Sequence, residues 1–299
     1  MDQPYPNLHD IAPTRVLICG DWHGDTRHAK AAIALADRVG ADGILHVGDF
    51  GWSWKRDHPK TFNVPVEEEL AKRDIFLIWA DGNHENHKAI RDITPRKSDG
   101  FVPTGDSGRL FWAPRAHRWN WLGVEFAAMG GAMSVNREDY TEGETLFSDL
   151  EEVKPGDVEL LGDVKVNVML THDVPAGGYV FKHMHFPPWV ERQAYESREL
   201  LRLAVENTRP DLVFSGHWHQ RVTSRIERLS DGGETTIHVL HMNGHDSNAV
   251  IVDLPGLGLI EGTEREGWHH WTRRGEKQAK AAEARRLYRL AQQASNPPE

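Results

Sequence analysis

The sequence predicts an α/β protein in which two packed β-sheets are flanked by helices. Short apolar runs of strand length recur along the chain, each bounded by turn residues: Arg15 to Cys19, Ile44 to Val47, Ile75 to Trp79, Val166 to Leu170 and Leu212 to Phe214. Runs of this kind read as strands buried on both faces. Helical patterns alternate with the earlier runs, whereas aromatic and β-branched stretches dominate from Trp112 to Met129 and from Val222 to Leu254. Alternation followed by a strand-rich half points to two sheets with helices on their outer faces.

In chain order, the first strand leads to a helix from Thr26 to Val39, begun by Asp25 or Thr26 as cap and stopped at Gly40. A second helix is expected from Val66 to Arg73. A third runs from Glu191 to Asn207, with Leu200, Leu201, Ala204 and Val205 on its apolar face, and ends before Pro210. Asp231-Gly232-Gly233 is placed to turn a hairpin between Ile226 and Ile237. Thr272 to Leu290 carries seven Lys/Arg against Glu276 and Glu283, an excess of five positive charges, on an alanine- and leucine-rich helical background. It reads as a solvated helix packed through Leu287 and Leu290, or as a partner or nucleic-acid contact. Asn296 to Glu299 is expected to fray. The organisation is thus an N-terminal extension (1–14), a main domain (15–262) and a basic helical tail (263–299).

Composition narrows the class. A chain of 299 residues builds a sizeable core without disulfides, and Cys19, the only cysteine, excludes an intrachain bridge. A reducing, cytoplasmic location is therefore expected. The start, Met1-Asp2-Gln3-Pro4-Tyr5-Pro6, lacks a basic segment followed by an apolar one, and no later run has membrane-spanning length, so no membrane partner is expected. A net charge of −10 argues against a surface that coats nucleic acid generally. The sequence selects no oligomeric state.

Chemistry is concentrated in five motifs: Gly20-Asp21-Trp22-His23, Gly48-Asp49, Gly82-Asn83-His84-Glu85, Thr171-His172-Asp173 and Gly216-His217-Trp218-His219. Each is weak alone, but each follows one of the predicted strands. Groups at the carboxyl ends of strands in an open α/β sheet face a shared crevice, so five separate motifs can converge on one site. Together they offer enough oxygen and nitrogen ligands for two metal ions.

In order and placement these motifs resemble those of the calcineurin-like metallophosphoesterase superfamily over roughly residues 15 to 220. The resemblance implies a four-layer αββα sandwich of two mixed sheets flanked by helices. It also implies that Asp21, His23, Asp49 and His219 hold one metal, that Asn83, His172, His217 and the shared Asp49 hold the other, and that His84 is an acid/base residue beside them. The expected reaction is phosphoester hydrolysis, with in-line attack of a metal-bridging hydroxide on phosphorus and His84 protonating the leaving oxygen or orienting the phosphate.

Physical chemistry agrees with that reading. The two oxygens of Asp49 can bridge ions roughly 3.5–4 Å apart, the spacing of two-metal hydrolytic sites. Two carboxylates among seven ligands leave excess positive charge for an anionic phosphate. The mixed imidazole and oxygen set suits manganese, iron or zinc better than calcium without choosing among them; manganese is the first expectation, with iron or zinc as alternatives. Among the 18 histidines, His245 repeats a Gly-His pair but has no imidazole two residues on. It is a candidate to orient a ligand rather than to be one. His46 is read as structural, and Asp173 as fixing local geometry.

Asp49 is followed by Phe50-Gly51-Trp52-Ser53-Trp54 where the family's Ser/Thr protein phosphatases continue Val-Asp-Arg-Gly, which disfavours phosphoprotein. The cyclic-nucleotide branch matches imperfectly too, because Glu85 stands where Gly-Asn-His-Asp is usual. Pro114 to Trp119 and Gly130 to Arg137 resemble a loosely defined group of actinobacterial and phage metallophosphoesterases.

For the substrate, Trp52 and Trp54 are expected to stack on a base while Lys55 and Arg56 meet phosphate, or else to cover the sheet edge. Asn136 and Arg137 reach phosphate or form a surface ion pair. His183 and His185 belong to a lid, a third metal site or an ordinary covering loop. The leading expectation is a phosphodiesterase acting on a small nucleotide, a cyclic nucleotide or a nucleic-acid phosphate end. The alternatives are a phosphomonoesterase, including a phosphoprotein phosphatase, or a catalytically silent binding module of the same fold. The last is disfavoured because all seven ligands and His84 are present.

Overall fold

Alternating side chains decide how this chain layers. In β1 (Arg15–Cys19), Val16 and Ile18 enter one apolar cluster and Leu17 and Cys19 another, as the period of two demands. The computed structural model describes residues 7–54, 60–93, 100–135, 149–181 and 186–260. The expected basic tail lies outside the described residues.

The chain continues through α1 (Thr26–Arg38), β2 (Gly43–His46), α2 (Asn63–Arg73), β3 (Phe76–Trp79) and α3 (His87–Ile93). Next come β4 (Val102–Pro103), β5 (Leu110–Trp112), β6 (Arg118–Trp121), β7 (Val124–Met129), α4 (Pro155–Leu161) and β8 (Val168–Thr171). The last elements are α5 (Pro188–Thr208), β9 (Leu212–Ser215), β10 (Val222–Glu227), β11 (Glu234–Val239), β12 (Ala249–Asp253) and β13 (Gly258–Ile260). One sheet has the order β13-β12-β1-β2-β3-β5-β4, the other β10-β11-β9-β8-β7-β6. Both are mixed: β1, β2, β3 and β5 run parallel, as do β7, β8, β9 and β11, with antiparallel strands at the margins.

Three apolar clusters define four layers. Val16, Ile18, Leu45, Ile78, Phe126, Leu170 and Phe214 meet between the sheets. Leu17, Ile44 and Leu77 pack outward against Ala32 and Ile33 of α1 and Leu70 of α2. On the opposite outer face Met169 and Val213 pack against Leu161 of α4 and Leu201 and Val205 of α5. The expected αββα sandwich is therefore present. Leu8 joins the central cluster, and its carbonyl accepts from Trp121 Nε1 at 2.8 Å.

Helix ends differ from expectation where proline is involved. α1 begins as predicted, with the Asp25 side chain accepting from the amides of Arg27 and His28. α2 starts three residues before Val66 and α5 three before Glu191. Pro65 and Pro188 sit in first turns, where a missing N–H leaves no intrahelical bond unmade. α3 and α4, at seven residues each, are too short to show a clear period and were not anticipated. Val166 and Asn167 precede β8 rather than lying inside it, and the Asn167 side chain bonds Glu125 N and Asp211 there. The hairpin at Asp231 to Gly233 forms as expected, with Gly232 at φ +68°. No helix among the described residues is long and apolar enough to cross a membrane.

Candidate metal centre

All five motifs sit at carboxyl ends of parallel strands: Asp21 beyond β1, Asp49 beyond β2, Asn83 and His84 beyond β3, His172 beyond β8 and His217 beyond β9. The first three strands belong to one sheet and the last two to the other, so the centre forms where the sheets face each other. Its backbone is held in uncommon conformations. His23, Asp49, His217 and His219 have φ of +48°, +53°, +64° and +51°, a left-handed region that costs non-glycine residues energy and clusters at functional sites.

Two groups of donor atoms result. In the first, His219 Nε2 lies 3.2 Å from Asp21 Oδ2, and His23 Nε2 lies 3.4 Å from Asp49 Oδ2 and 4.0 Å from Asp21 Oδ2. In the second, Asn83 Oδ1 lies 3.0 Å from both His172 Nε2 and His217 Nδ1, and His172 Nε2 is 3.4 Å from Asp49 Oδ1. The two oxygens of Asp49 thus face different groups. An oxygen of Asp21, an oxygen of Asp49 and a ring nitrogen of His172 also fall within 4.8 Å of one another, so the groups are contiguous. Both sets are compact enough to hold a metal ion.

Outer contacts settle which imidazole nitrogens face inward. His172 Nδ1 lies 2.9 Å from the carbonyl of Val47, and a carbonyl only accepts, so Nδ1 carries the proton and Nε2 presents its lone pair in the neutral ring. His23 Nδ1 meets Asn243 Oδ1 at 3.0 Å with the same consequence. Two glycines permit the close approach. A Cβ on Gly48, at φ +106°, would strike His172 Nδ1, and one on Gly82 would strike Asp49.

Electrostatics favour cations here. Burial opposes ionisation of Asp21, but the His219 hydrogen bond and the His172 charge outweigh it and bring its pKa to about 2. Burial likewise opposes charge on Asp49, and His172 and His84 overcome it, holding the carboxyl well below its ordinary value. Burial would lower His23 and His172, yet Asp49 raises them to about 9 and about 10. The buried carboxylates therefore draw positive charge. His217 is pushed down to about 4, chiefly by burial, so its ring is neutral near pH 7.

His84 stands at the edge of this centre. Its amide donates to Asp49 Oδ1 at 2.9 Å, and its ring lies 6.2 Å from that of His23, centroid to centroid. Burial lowers its pKa, partly offset by Asp49, which leaves the imidazole neutral near pH 7.

The two tryptophans after Asp49 diverge. Trp54 borders the centre, with ring centroids 6.2 Å from His23 and 6.0 Å from His84, and its buried Nε1 has no hydrogen-bond partner among the described residues. Trp52 instead stacks on Trp79 in the core and donates to the Thr104 carbonyl at 2.9 Å. Lys55, Arg56, Asn136, Arg137, His183 and His185 lie outside the described residues.

Several contributors escape sequence reasoning. Glu85, unassigned within its motif, accepts from the amides of Asp49, Gly51 and Gly82 at 3.1, 3.0 and 2.5 Å. Burial and then Asp49 raise its pKa to about 8. His245 was one candidate to orient a ligand; it is Asn243, two residues earlier, that contacts His23, while His245 stacks on His241 at 3.5 Å. Asn248 bonds Trp22, His28 and the Asp21 carbonyl. Their only sequence signal is proximity to the Gly244-His245 pair. His46 is fully buried and accepts from Gly48 N, and Asp173 accepts from Trp218 Nε1, both in line with structural roles.

Residues 14–221 match the family model described as calcineurin-like phosphoesterase. The protein TT1561 of Thermus thermophilus is similar in structure, with a TM-score of 0.51 and 14% identity over 85% of this chain and 100% of that one. A dimetal phosphatase from Danio rerio aligns at a TM-score of 0.47 and 10% identity, over 81% of this chain and 93% of that one. No functionally curated protein matches in sequence.

Proposed function

The chain belongs to the calcineurin-like phosphoesterase family and is a metal-dependent phosphoesterase; from that premise we propose a two-metal enzyme that hydrolyses a phosphodiester or nucleotide-type phosphate. The observation that carries the two-metal reading is the division of Asp49, with Oδ2 toward His23 and Oδ1 toward His172. In this reading Asp21, His23, Asp49 and His219 hold one ion, and Asp49, Asn83, His172 and His217 the other. Manganese suits the oxygen and imidazole set, with iron or zinc as alternatives. Two divalent ions supply charge neutralisation at phosphorus and a water activated near neutral pH.

The chain's own groups do the rest. His172 and His23, with their outer nitrogens committed to Val47 and Asn243, present fixed lone pairs. His84 is placed beside Asp49 to orient the phosphate by donating a hydrogen bond from its neutral ring, and to act as acid at the leaving oxygen it would first take up a proton, since burial keeps the free imidazole neutral near pH 7. Trp54 borders the centre with its indole and carries a buried N–H that no described residue accepts, the support for a nucleotide-like leaving group. Trp52 has no such role, since its N–H and face are engaged in the core.

Hydrolysis of bis-p-nitrophenyl phosphate and of the monoester, with manganese, tests the reading. Preference for the diester, abolished in Asp49→Ala and reduced in His84→Ala, is the expected result. Preference for the monoester would overturn the diester assignment, and full activity in Asp49→Ala would remove the bridging role.

A further inference from the structure

An asparagine that ligates a metal must present oxygen, yet its amide is nearly symmetric in shape, and a half-turn about the last side-chain bond would put nitrogen there instead. Something has to choose. Asn83 Nδ2 lies 2.9 Å from Ser134 Oγ, and Ser134 Oγ lies 3.0 Å from Glu151 Oε2. The amide nitrogen only donates and a carboxylate oxygen accepts, so the single hydroxyl proton points to Glu151 and the hydroxyl lone pair receives Asn83. This polarity fits only one amide orientation, the one with Oδ1 toward His172 and His217. Ser134 also donates its backbone amide to Glu151 Oε1 at 2.8 Å, so both carboxylate oxygens are engaged by one residue. Asn83, Ser134 and Glu151 are all buried, where a reversed, unsatisfied bond is costly.

The far end of this chain is anchored to the strand that carries Asn83. Arg115 Nε and Nη2 pair with Asp81 Oδ2 at 2.9 and 2.6 Å, just past the end of β3. Nη2 also lies 2.9 Å from the carbonyls of Leu150 and Glu151, and Nη1 meets the carbonyl of Glu152 at 2.5 Å and Asp157 Oδ2 at 3.4 Å. One guanidinium therefore spans the backbone on either side of Glu151 and the residue two before Asn83. Ala132 N donates to the Glu151 carbonyl at 2.9 Å and Gly131 N to that of Asp81 at 2.7 Å, closing the frame.

We propose that Glu151, acting through Ser134 and held by Arg115, is a positioning residue that keeps the Asn83 oxygen turned toward the His172–His217 metal site. This rests on the ligand assignment given above for Asn83. Residues that orient metal ligands typically change affinity by about 10- to 100-fold when altered, and the same range is expected here for the Asn83-dependent ion alone.

Calorimetric titration of the metal-free full chain with Mn2+ tests it, independently of turnover. Wild type should bind in two steps, and Asn83→Ala should lose one of them. Ser134→Ala should weaken that same step by about 10- to 100-fold and spare the other, whereas Ser134→Thr, which keeps the hydroxyl, should retain both. Glu151→Gln is the isosteric second variant. Its amide can donate to Ser134 and reverse the polarity, so it should behave as Ser134→Ala does, with a melting temperature near wild type. Unchanged steps in Ser134→Ala and Glu151→Gln, beside a lost step in Asn83→Ala, would overturn the positioning role and leave the ligand assignment intact. Equal weakening of both steps would reduce Ser134 and Glu151 to general structural support and overturn it too. Two intact steps in Asn83→Ala would remove the ligand assignment and the proposal with it.

Discussion

The backbone amide of His84 donates to Oδ1 of Asp49 at 2.9 Å. His84 is thus tied to the centre of the site by its main chain, and its imidazole lies outside that bond. Replacing the ring should leave the metal-binding frame standing while removing proton transfer. His84→Ala is expected to bind manganese in the same two steps as wild type and to lose about 10²- to 10⁴-fold in kcat, the usual weight of a general acid or base. Titration beside steady-state kinetics checks both halves.

The space between Gly48 and His172 is equally specific. A methyl group on Gly48 would enter the His172 ring at Nδ1, and φ of +106° is strained for any L-residue. Gly48→Ala should cost about 1–3 kcal/mol of stability, the range for overpacking a well-filled interior. It should also weaken metal binding, because His172 must leave the Val47 carbonyl. Denaturant unfolding and manganese titration measure the two effects.

Trp54 can be separated into its ring and its donor. Trp54→Phe keeps an aromatic face near His23 and His84 but removes the buried N–H that no described residue accepts. If that N–H meets the substrate, KM should rise about 5- to 13-fold, the loss of one hydrogen bond of about 1–1.5 kcal/mol, with little change in stability. Trp52→Phe should do the reverse, lowering stability through the lost bond to Thr104 and leaving KM near wild type.

His117 supplies a pH test away from the metals. It is buried between Phe101 and Trp119, and burial, then His9, lowers its pKa from 6.5 to about 4. The unfolded chain binds a proton there before the folded one does, so stability is intact above pH 6.5 and falls as pH drops toward 4. The full loss is at most about 3 kcal/mol, at 1.36 kcal/mol for each tenfold change in proton affinity. His117→Phe should flatten this part of the profile. Denaturant unfolding of both proteins at pH 7.5 and pH 5 reads the difference.

Much of the fold was legible because its signals are local. The alternation of Val16 and Ile18 with Leu17 and Cys19 predicts a strand buried on both faces, and the two sets do enter separate clusters. α1 was legible down to a cap at Asp25 or Thr26, of which the structure selects Asp25. The short α3 and α4 were not, since seven residues give barely two turns of pattern.

The sequence by itself determined the family, the order of the motifs and their positions at strand ends, because ligand-bearing residues and strand patterns are written in neighbouring positions. Only the tertiary structure decided which face Trp52 and Trp54 present, that Asn243 rather than His245 meets His23, and that Ser134 and Glu151 stand behind Asn83. These contacts join residues far apart in the chain, as with His23 and Asn243 at a separation of 220. They come into being when two sheets pack and bring their strand ends together, and no local pattern along the chain records that approach.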